Sequence, residues 1–373
     1  MEKERAQGVQ RLRSVDALRG FDMFWIAGGD ALFAALADLT GCPALMWWKT
    51  QLEHVEWHGF RFEDMIFPLF LFIAGIAFPF SMAKRLSGQD GRGPLYRHIV
   101  QRGLILVVLG IVYNNGINFN FGDMRYGSVL GHIGLAWMFA ALIFMNCRVR
   151  ASLLWVAGIL VGYWLLLRLA HAPDLGSSDP YSMEGCIVGY VDRLLLPGRL
   201  YKGIHDPEGI LSTVPAVATA LLGMLAGHYV MRRPESAKPS ATVFGLAAAG
   251  VGLLAIGWLW NFVFPINKNL WTSSFVCWVG GLSLLLFALF YGVIDVWKAE
   301  KWSRFFAVIG MNSLAVYLVP RVVDFDKVTQ FFFGSLIALA PGAWHDVLNA
   351  TAYLAVVWAF LYVLYRKKIF LKV

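Results

Sequence analysis

The chain has 373 residues, 58% of them hydrophobic and 15% charged, with 32 Lys and Arg against 24 Asp and Glu. A soluble domain carries roughly 25% charge, so this composition excludes one and points to an integral membrane protein. The surplus of +8 invites a nucleic-acid reading, but in membrane proteins such charge gathers in cytoplasmic loops; the expected surroundings are a lipid bilayer, with no nucleic acid.

Ten mostly apolar runs predict spanning helices, at 15–39, 60–83, 103–119, 126–146, 152–167, 209–231, 241–264, 270–294, 305–319 and 347–365. With the N-terminus inside, the inner segments hold Lys3, Arg5, Arg11 and Arg13, then Lys84, Arg85, Arg92, Arg97 and Arg102, then Arg148 and Arg150. They continue with Arg232, Arg233 and Lys238, then Lys298, Lys301 and Arg304, and the tail Arg366, Lys367, Lys368 and Lys372. Every inner segment is basic, as the positive-inside rule requires. A further crossing at 328–340, a run ended by Pro341 and Gly342, would place the basic tail outside and break that pattern. The expectation is an all-α polytopic protein of about ten spans, both termini cytoplasmic. It forms a single domain over 1–373 with outer loops at about 40–59 and 170–208. The basic start leads into a full-length first helix, so no cleavable signal peptide is expected. Cys42 and Cys186 both fall outside, where an oxidising compartment would permit a disulfide. Neither CxxC nor HExxH occurs, so no metal is expected.

In chain order, the first helix carries Asp16, Arg19, Asp22 and Asp30. At about 100° per residue the four share roughly a third of the circumference, and the cost of charge in lipid turns that stripe toward the bundle interior. Arg19, with Asp16 and Asp22 one turn away, suits helix packing. Asp30 follows Gly28 and Gly29, has no cation within a turn, and reads as a functional acid. The loop that follows leads to the stretch LEHVEWHGFRFEDM, where His54, Glu56 and His58 alternate and would share a face if extended. An imidazole near an acid is held in one tautomer and suits general-base work, and Asp30 is the acid expected beside His54.

The fourth helix opens with Arg125 at its mouth and His132 seven residues on, either a site residue or a link between helices. The 170–208 loop ends in HDPEG, where Asp206 and Glu208 suit either a lid over substrate or a capped helix start. Lys268, Asn269 and Trp271 gather in PINKNLW, and GMNSLAVYL places Asn312 and Tyr317 inside the ninth helix. Such groups suit a long polar ligand or helix–helix contacts equally. An amino-sugar permease would use the same intramembrane groups, although no repeat of the HVEWHGF stretch or of the acidic stripe is found.

RLRSVDALRG, HVEWHGFRFEDMIFPLFLFIAG, RYGSVLGHIG, GYVDRLLL, HDPEGIL, INKNLW and GMNSLAVYL, in that order, resemble the heparan-alpha-glucosaminide N-acetyltransferase family and its bacterial NagX-type relatives. The resemblance implies a transmembrane acyltransferase fold and a homodimer. It further implies transfer of acetyl from cytosolic acetyl-CoA to an amino-sugar acceptor such as glucosamine across a bacterial inner membrane. O-acetylation of a cell-surface glycan is the alternative. The family's active-site histidine falls on His54, with Trp57 and Gly59 completing the HxxWxG motif, and Asp30 stands where the lysosomal enzyme has asparagine. His132 replaces an arginine, and Pro320 stands where the family has histidine. On this basis the catalytic pair is His54 and Asp30. Acetyl-CoA is expected at Arg19, Arg125, His132, Asn269, Asn312 and Tyr317. Acceptor contacts are expected at Trp57, Glu56, His58, Asp206, Glu208, Lys268 and Trp271.

Overall fold

The computed structural model describes residues 12–86, 91–116, 120–234, 236 and 238–371. The expected inner charges Lys3, Arg5, Arg11 and Lys372 lie outside the described residues, as does the end of the third expected span at 117–119. Helix α1 (Arg13–Phe24) passes through a π-helical turn, Trp25–Gly29, into α2 (Asp30–Thr40). The chain continues through α3 (Pro43–Gln51), α4 (Glu63–Leu86), α5 (Gly93–Asn115), α6 (Val129–Asn146) and α7 (Val149–Leu169). After α8 (Ile187–Leu195) come α9 (Thr213–Met231), α10 (Pro239–Asn261), α11 (Ser273–Phe290), α12 (Ser303–Met311), α13 (Ser313–Leu318), α14 (Phe325–Ala338) and α15 (His345–Arg366). Apart from two isolated bridges, the described residues contain no β structure.

Nine helices among the described residues are long and apolar enough to cross a membrane, and the bent pair Ser303–Met311 and Ser313–Arg321 makes a tenth if it counts as one span. The protein is an integral, multi-pass membrane protein. Helix α9 sits at the centre, with 72% of its apolar window buried, whereas α10 and α15 bury 22% and leave the rest for lipid. Small residues let the central helices approach. A Cβ on Gly223 of α9 would lie 2.1 Å from the Phe72 carbonyl oxygen of α4, and one on Gly310 of α12 would lie 2.0 Å from that of Asp16 in α1.

Expectations change at the ninth span, the two loops and the cysteines, whereas the 328–340 run, as expected, does not cross. The ninth span bends by 70° at Asn312. That residue's side chain leaves the helix to hold the C-terminal tail, donating from Nδ2 to Ile369 O (3.1 Å) and accepting from Leu371 N at Oδ1 (3.3 Å). Both expected loops contain helices, α3 and α8. The 328–340 run lies in α14, whose 14 residues rise about 21 Å, short of the roughly 30 Å hydrocarbon core, and it packs on α15. The four cysteines are free: Cys42 is exposed, while Cys186 is buried and caps α8 by accepting from Gly189 N.

The first-helix stripe also divides. Asp16 and Asp22 are buried, but Asp30 is exposed. Gly28 has φ 112° inside the π turn, a conformation open to glycine and strained for most residues. That turn breaks the 100° step and re-aims everything after it.

Candidate active site

One end of the bundle collects the connecting segments 52–62, 196–212 and 262–272. His54 stands there, its side chain 57% exposed, with Nδ1 2.9 Å from Oδ1 of Asp64, which is 1% exposed. A carboxylate only accepts, so Nδ1 carries the proton and Nε2 keeps its lone pair. Asp64 is fixed from its other oxygen, which accepts from Arg61 N (3.1 Å). Arg61 in turn holds the His54 loop through the Glu53 carboxylate (3.2 Å) and the His54 carbonyl (3.4 Å). Pro68 follows Asp64 by four residues and cannot donate to its carbonyl, which frees the first turn of α4 from the helical ladder.

Lys268 completes the group. Its Nζ lies 3.6 Å from Asp64 Oδ1 and 3.3 Å from His54 Nδ1; because that nitrogen is already a donor, the ammonium is held by the carboxylate. Burial pulls the lysine below its usual range, while Asp64, Glu208 and Glu63 oppose the shift. The turn that aims it is closed by Asn267, whose Oδ1 accepts from Leu270 N (2.9 Å) and whose Nδ2 donates to His58 Nδ1 (3.2 Å). Burial also lowers His58, with Asp179 opposing.

Around this group the loops lock together. Trp57 Nε1 donates to Tyr181 O (2.7 Å), and the Trp57 ring meets His205 at 5.3 Å. Lys202 donates to the Glu56 carbonyl (3.1 Å) and His205 Nε2 donates to Asn269 O (2.9 Å), with burial depressing His205 to about 4. Arg125 grips both Asp206 oxygens (2.9 and 2.7 Å), also bonds Glu208, and stacks over Tyr201. Burial works against the Asp206 carboxylate, but the Arg125 bond and charge bring it below the usual range; burial, with the Asp206 charge, lifts Glu208.

A cavity of about 490 Å³ opens at the other end of the bundle, where the basic segments lie. Arg19, Arg85, His98 and Arg102 ring it, and Phe70, Leu130, Ile133 and Trp137 form its apolar depth. Arg85 contacts His98 (3.1 Å), and Arg102 stacks over Trp137 at 4.3 Å. From Phe70 to Asp64 is six residues of α4, about 9 Å of helix rise. Between the cavity and His54 sits His132, 2% exposed, against Trp271 (4.7 Å) and Phe67 (5.4 Å). Its Nδ1 meets Thr213 Oγ1 (3.3 Å), and its Nε2 has no hydrogen-bond partner.

The structure therefore sorts the expected residues differently from the sequence. The acid on His54 is Asp64, whereas Asp30 lies within electrostatic reach of Glu63. Of the six residues expected at the donor, Arg19 lines the cavity. Arg125 and Asn269 belong to the loop end, Tyr317 stacks on Tyr113 (4.4 Å), and Asn312 holds the tail. Trp271, at 1% exposure, is core, with Nε1 donating to Thr219 Oγ1. Arg85, His98 and Arg102 line the cavity without having been singled out in the sequence. The positive-inside count contained the two arginines, but nothing in a charge count says which of them turn inward.

The chain is thus a polytopic helical membrane protein that carries a basic-mouthed cavity at one end of its bundle and an acid–histidine–lysine group at the other. Residues 11–257 match the family described as heparan-alpha-glucosaminide N-acetyltransferase, catalytic, and the chain belongs to that family. It is 26% identical to the human heparan-alpha-glucosaminide N-acetyltransferase over 97% of its own length and 60% of that protein's. Against the mouse protein it is 26% identical over 99% and 61% respectively. The chain thus spans about three-fifths of the curated relatives it matches.

Proposed function

We propose that the protein is a transmembrane acetyltransferase. It takes acetyl from acetyl-CoA at the basic end, which faces the cytoplasm, and transfers it to the amine of glucosamine or a related amino sugar at the His54 end. The observation that carries this reading is the pair of half-sites on α4: a basic-rimmed cavity at one level and the His54–Asp64 pair about 9 Å further along. Arg19, Arg85, His98 and Arg102 suit the phosphates of coenzyme A, because charge-assisted bonds to phosphate are strong. The apolar depth at Phe70, Leu130 and Ile133 suits the pantetheine arm. With its proton on Nδ1, His54 presents Nε2 as base to the attacking amine. The N–C bond forms as the C–S bond breaks, and the proton taken by Nε2 passes to the coenzyme A thiolate. Asp64 stabilises the imidazolium formed in between, and the Lys268 ammonium lies beside the same carboxylate oxygen. The same free Nε2 could form an acetyl-histidine instead. Basic segments on the donor side accord with a bacterial inner membrane in which that side is cytoplasmic.

Purified protein supplied with labelled acetyl-CoA and a panel of amino sugars tests the reading, with label expected on glucosamine. Unmodified sugar crossing a vesicle would make the protein a permease instead. His54→Ala is expected to abolish transfer while acetyl-CoA still binds; substantial residual turnover would remove His54 as the base. Acid quench before acceptor is added distinguishes the two routes, since a stable acetyl on His54 appears only in the covalent one.

A further inference from the structure

The broken first helix leaves a group of polar atoms that neither the His54 pair nor the donor cavity uses. Asp22 is 1% exposed, and both its carboxylate oxygens lack a hydrogen-bond partner. One turn on, the buried indole nitrogen of Trp25 is unpartnered too, as is that of Trp48 on α3. These are not scattered. The Trp25 ring meets Trp48 at 5.8 Å and Phe62 at 5.2 Å, and Trp48 meets Phe62 at 5.0 Å. Phe62 is followed by Glu63, which lies in electrostatic reach of both Asp22 and Asp30. Residue 64 is the acid on His54, so this group adjoins the reacting end. Asp22 also lies one turn from Arg19, which lines the donor cavity.

An unpartnered buried carboxylate is costly, of order several kcal/mol, and intramembrane acids are kept for a function. Two cations reach the group: Arg19 acts on Asp22, and Lys268 acts on Glu63 but is shared with Asp64 and Glu208. Carboxylates beside aromatic faces form the combination that binds an organic ammonium, by charge-assisted hydrogen bonds on one side and cation–π attraction on the other. The indole N–H groups supply donors for the hydroxyls of a sugar ring.

We propose that Asp22, Asp30 and Glu63, walled by Trp25, Trp48 and Phe62, bind the acceptor as a protonated primary amine on a sugar ring. The proposal rests on the acetyltransferase reading and narrows its acceptor to a cationic amine rather than a neutral glycan hydroxyl. An ammonium is not a nucleophile, so a carboxylate of this group takes its first proton and leaves the neutral amine. His54 takes the second as the amide forms, and coenzyme A leaves as the thiol. The acids thus do two things: they select the cation, and they supply a base for the proton that His54 does not take.

The test uses the full chain in lipid nanodiscs, with calorimetric binding of glucosamine, glucose and acetyl-CoA measured beside transfer kinetics. Asp30→Asn, an exposed position, and Glu63→Gln are compared with wild type, and their acetyl-CoA binding serves as the control for folding. Wild-type protein should bind glucosamine at least roughly tenfold tighter than glucose. Each variant should raise the glucosamine Kd and KM by roughly tenfold or more, the order of one lost charge-assisted hydrogen bond, with acetyl-CoA binding unchanged. Trp48→Ala should weaken glucosamine binding, and Trp48→Phe should restore part of it. Equal binding of glucose and glucosamine overturns the proposal, as do variants with wild-type glucosamine KM or with impaired acetyl-CoA binding instead. If acid-dependent glucosamine binding is found without transfer, the acetyltransferase reading fails while the amine site stands. If transfer is found with unaltered KM in both variants, the reverse holds.

Discussion

In the proposed reaction His54 would serve as a base only while its Nδ1 proton is held, and Asp64 is the group within hydrogen-bond reach of it. Asp64→Asn can present its amide and favour the other tautomer, so kcat should fall by roughly 10²–10⁴ with little change in acetyl-CoA KM; steady-state kinetics on both substrates check this. At the cavity rim, Arg85→Gln should raise the KM for acetyl-CoA by about tenfold, and the difference should narrow at high salt, because Arg85 is exposed. How little of this pairing was legible is a matter of distance. Asp30 precedes His54 by 24 positions and Asp64 follows by 10; choosing between them required knowing that the loop from His54 folds back on the first turn of α4. Glu63 and Asp64 stand near His54 in the sequence, but nearness along a loop carries no direction and does not single out either as its partner.

Helices and loops set the next scale. The loop end depends on Asp206, whose buried carboxylate takes two bonds from Arg125 as well as those from Tyr201 N and Glu208 N. Asp206→Ala would leave Arg125 with a reduced counter-charge, and a loss of about 3–5 kcal/mol is expected by thermal or denaturant unfolding. Asp192 of α8 makes a pH-dependent joint with the same loop. It is fully buried, accepts from Ile210 N at one oxygen, and burial raises its carboxyl to about 7, the Ile210 bond opposing. An acid raised in the folded state contributes stability that is full below its unfolded value and is lost as pH rises through 7. Asp192→Asn keeps the Ile210 bond, so its melting temperature should match wild type only near the unfolded value, at about pH 4, and exceed it near pH 8; melting curves at both decide. Spans were largely readable because a run of apolar residues is a local property. The π turn at Trp25–Gly29 was not, because Gly28-Gly29 permits a break without demanding one. Asn312 was read as a ligand group for the same reason: a polar residue in an apolar run announces a partner, and only the folded tail shows that the partner is backbone.

For the whole molecule, sidedness is the property on which a cross-membrane transfer depends. Cys42 is exposed at the loop end, and Cys147 lies beside Arg148 and Arg150 at the basic end. A membrane-impermeant maleimide applied to intact cells should label Cys42, and Cys147 should react only after lysis; the reverse pattern would invert the orientation. Charge balance and hydropathy in the sequence alone determined that the chain is a helical membrane protein and where it crosses, because the bilayer acts on each segment separately. The ordered motifs pointed the proposed chemistry to His54. The tertiary structure alone decided which acid meets that histidine, which arginines leave the basic rim to line a cavity, and that Trp25, Trp48 and Phe62 pack together beside the buried Asp22. Those are contacts between helices far apart in the chain. They are set by glycine-mediated packing and one glycine-permitted π turn, which reorient side chains without leaving a periodic trace in the sequence.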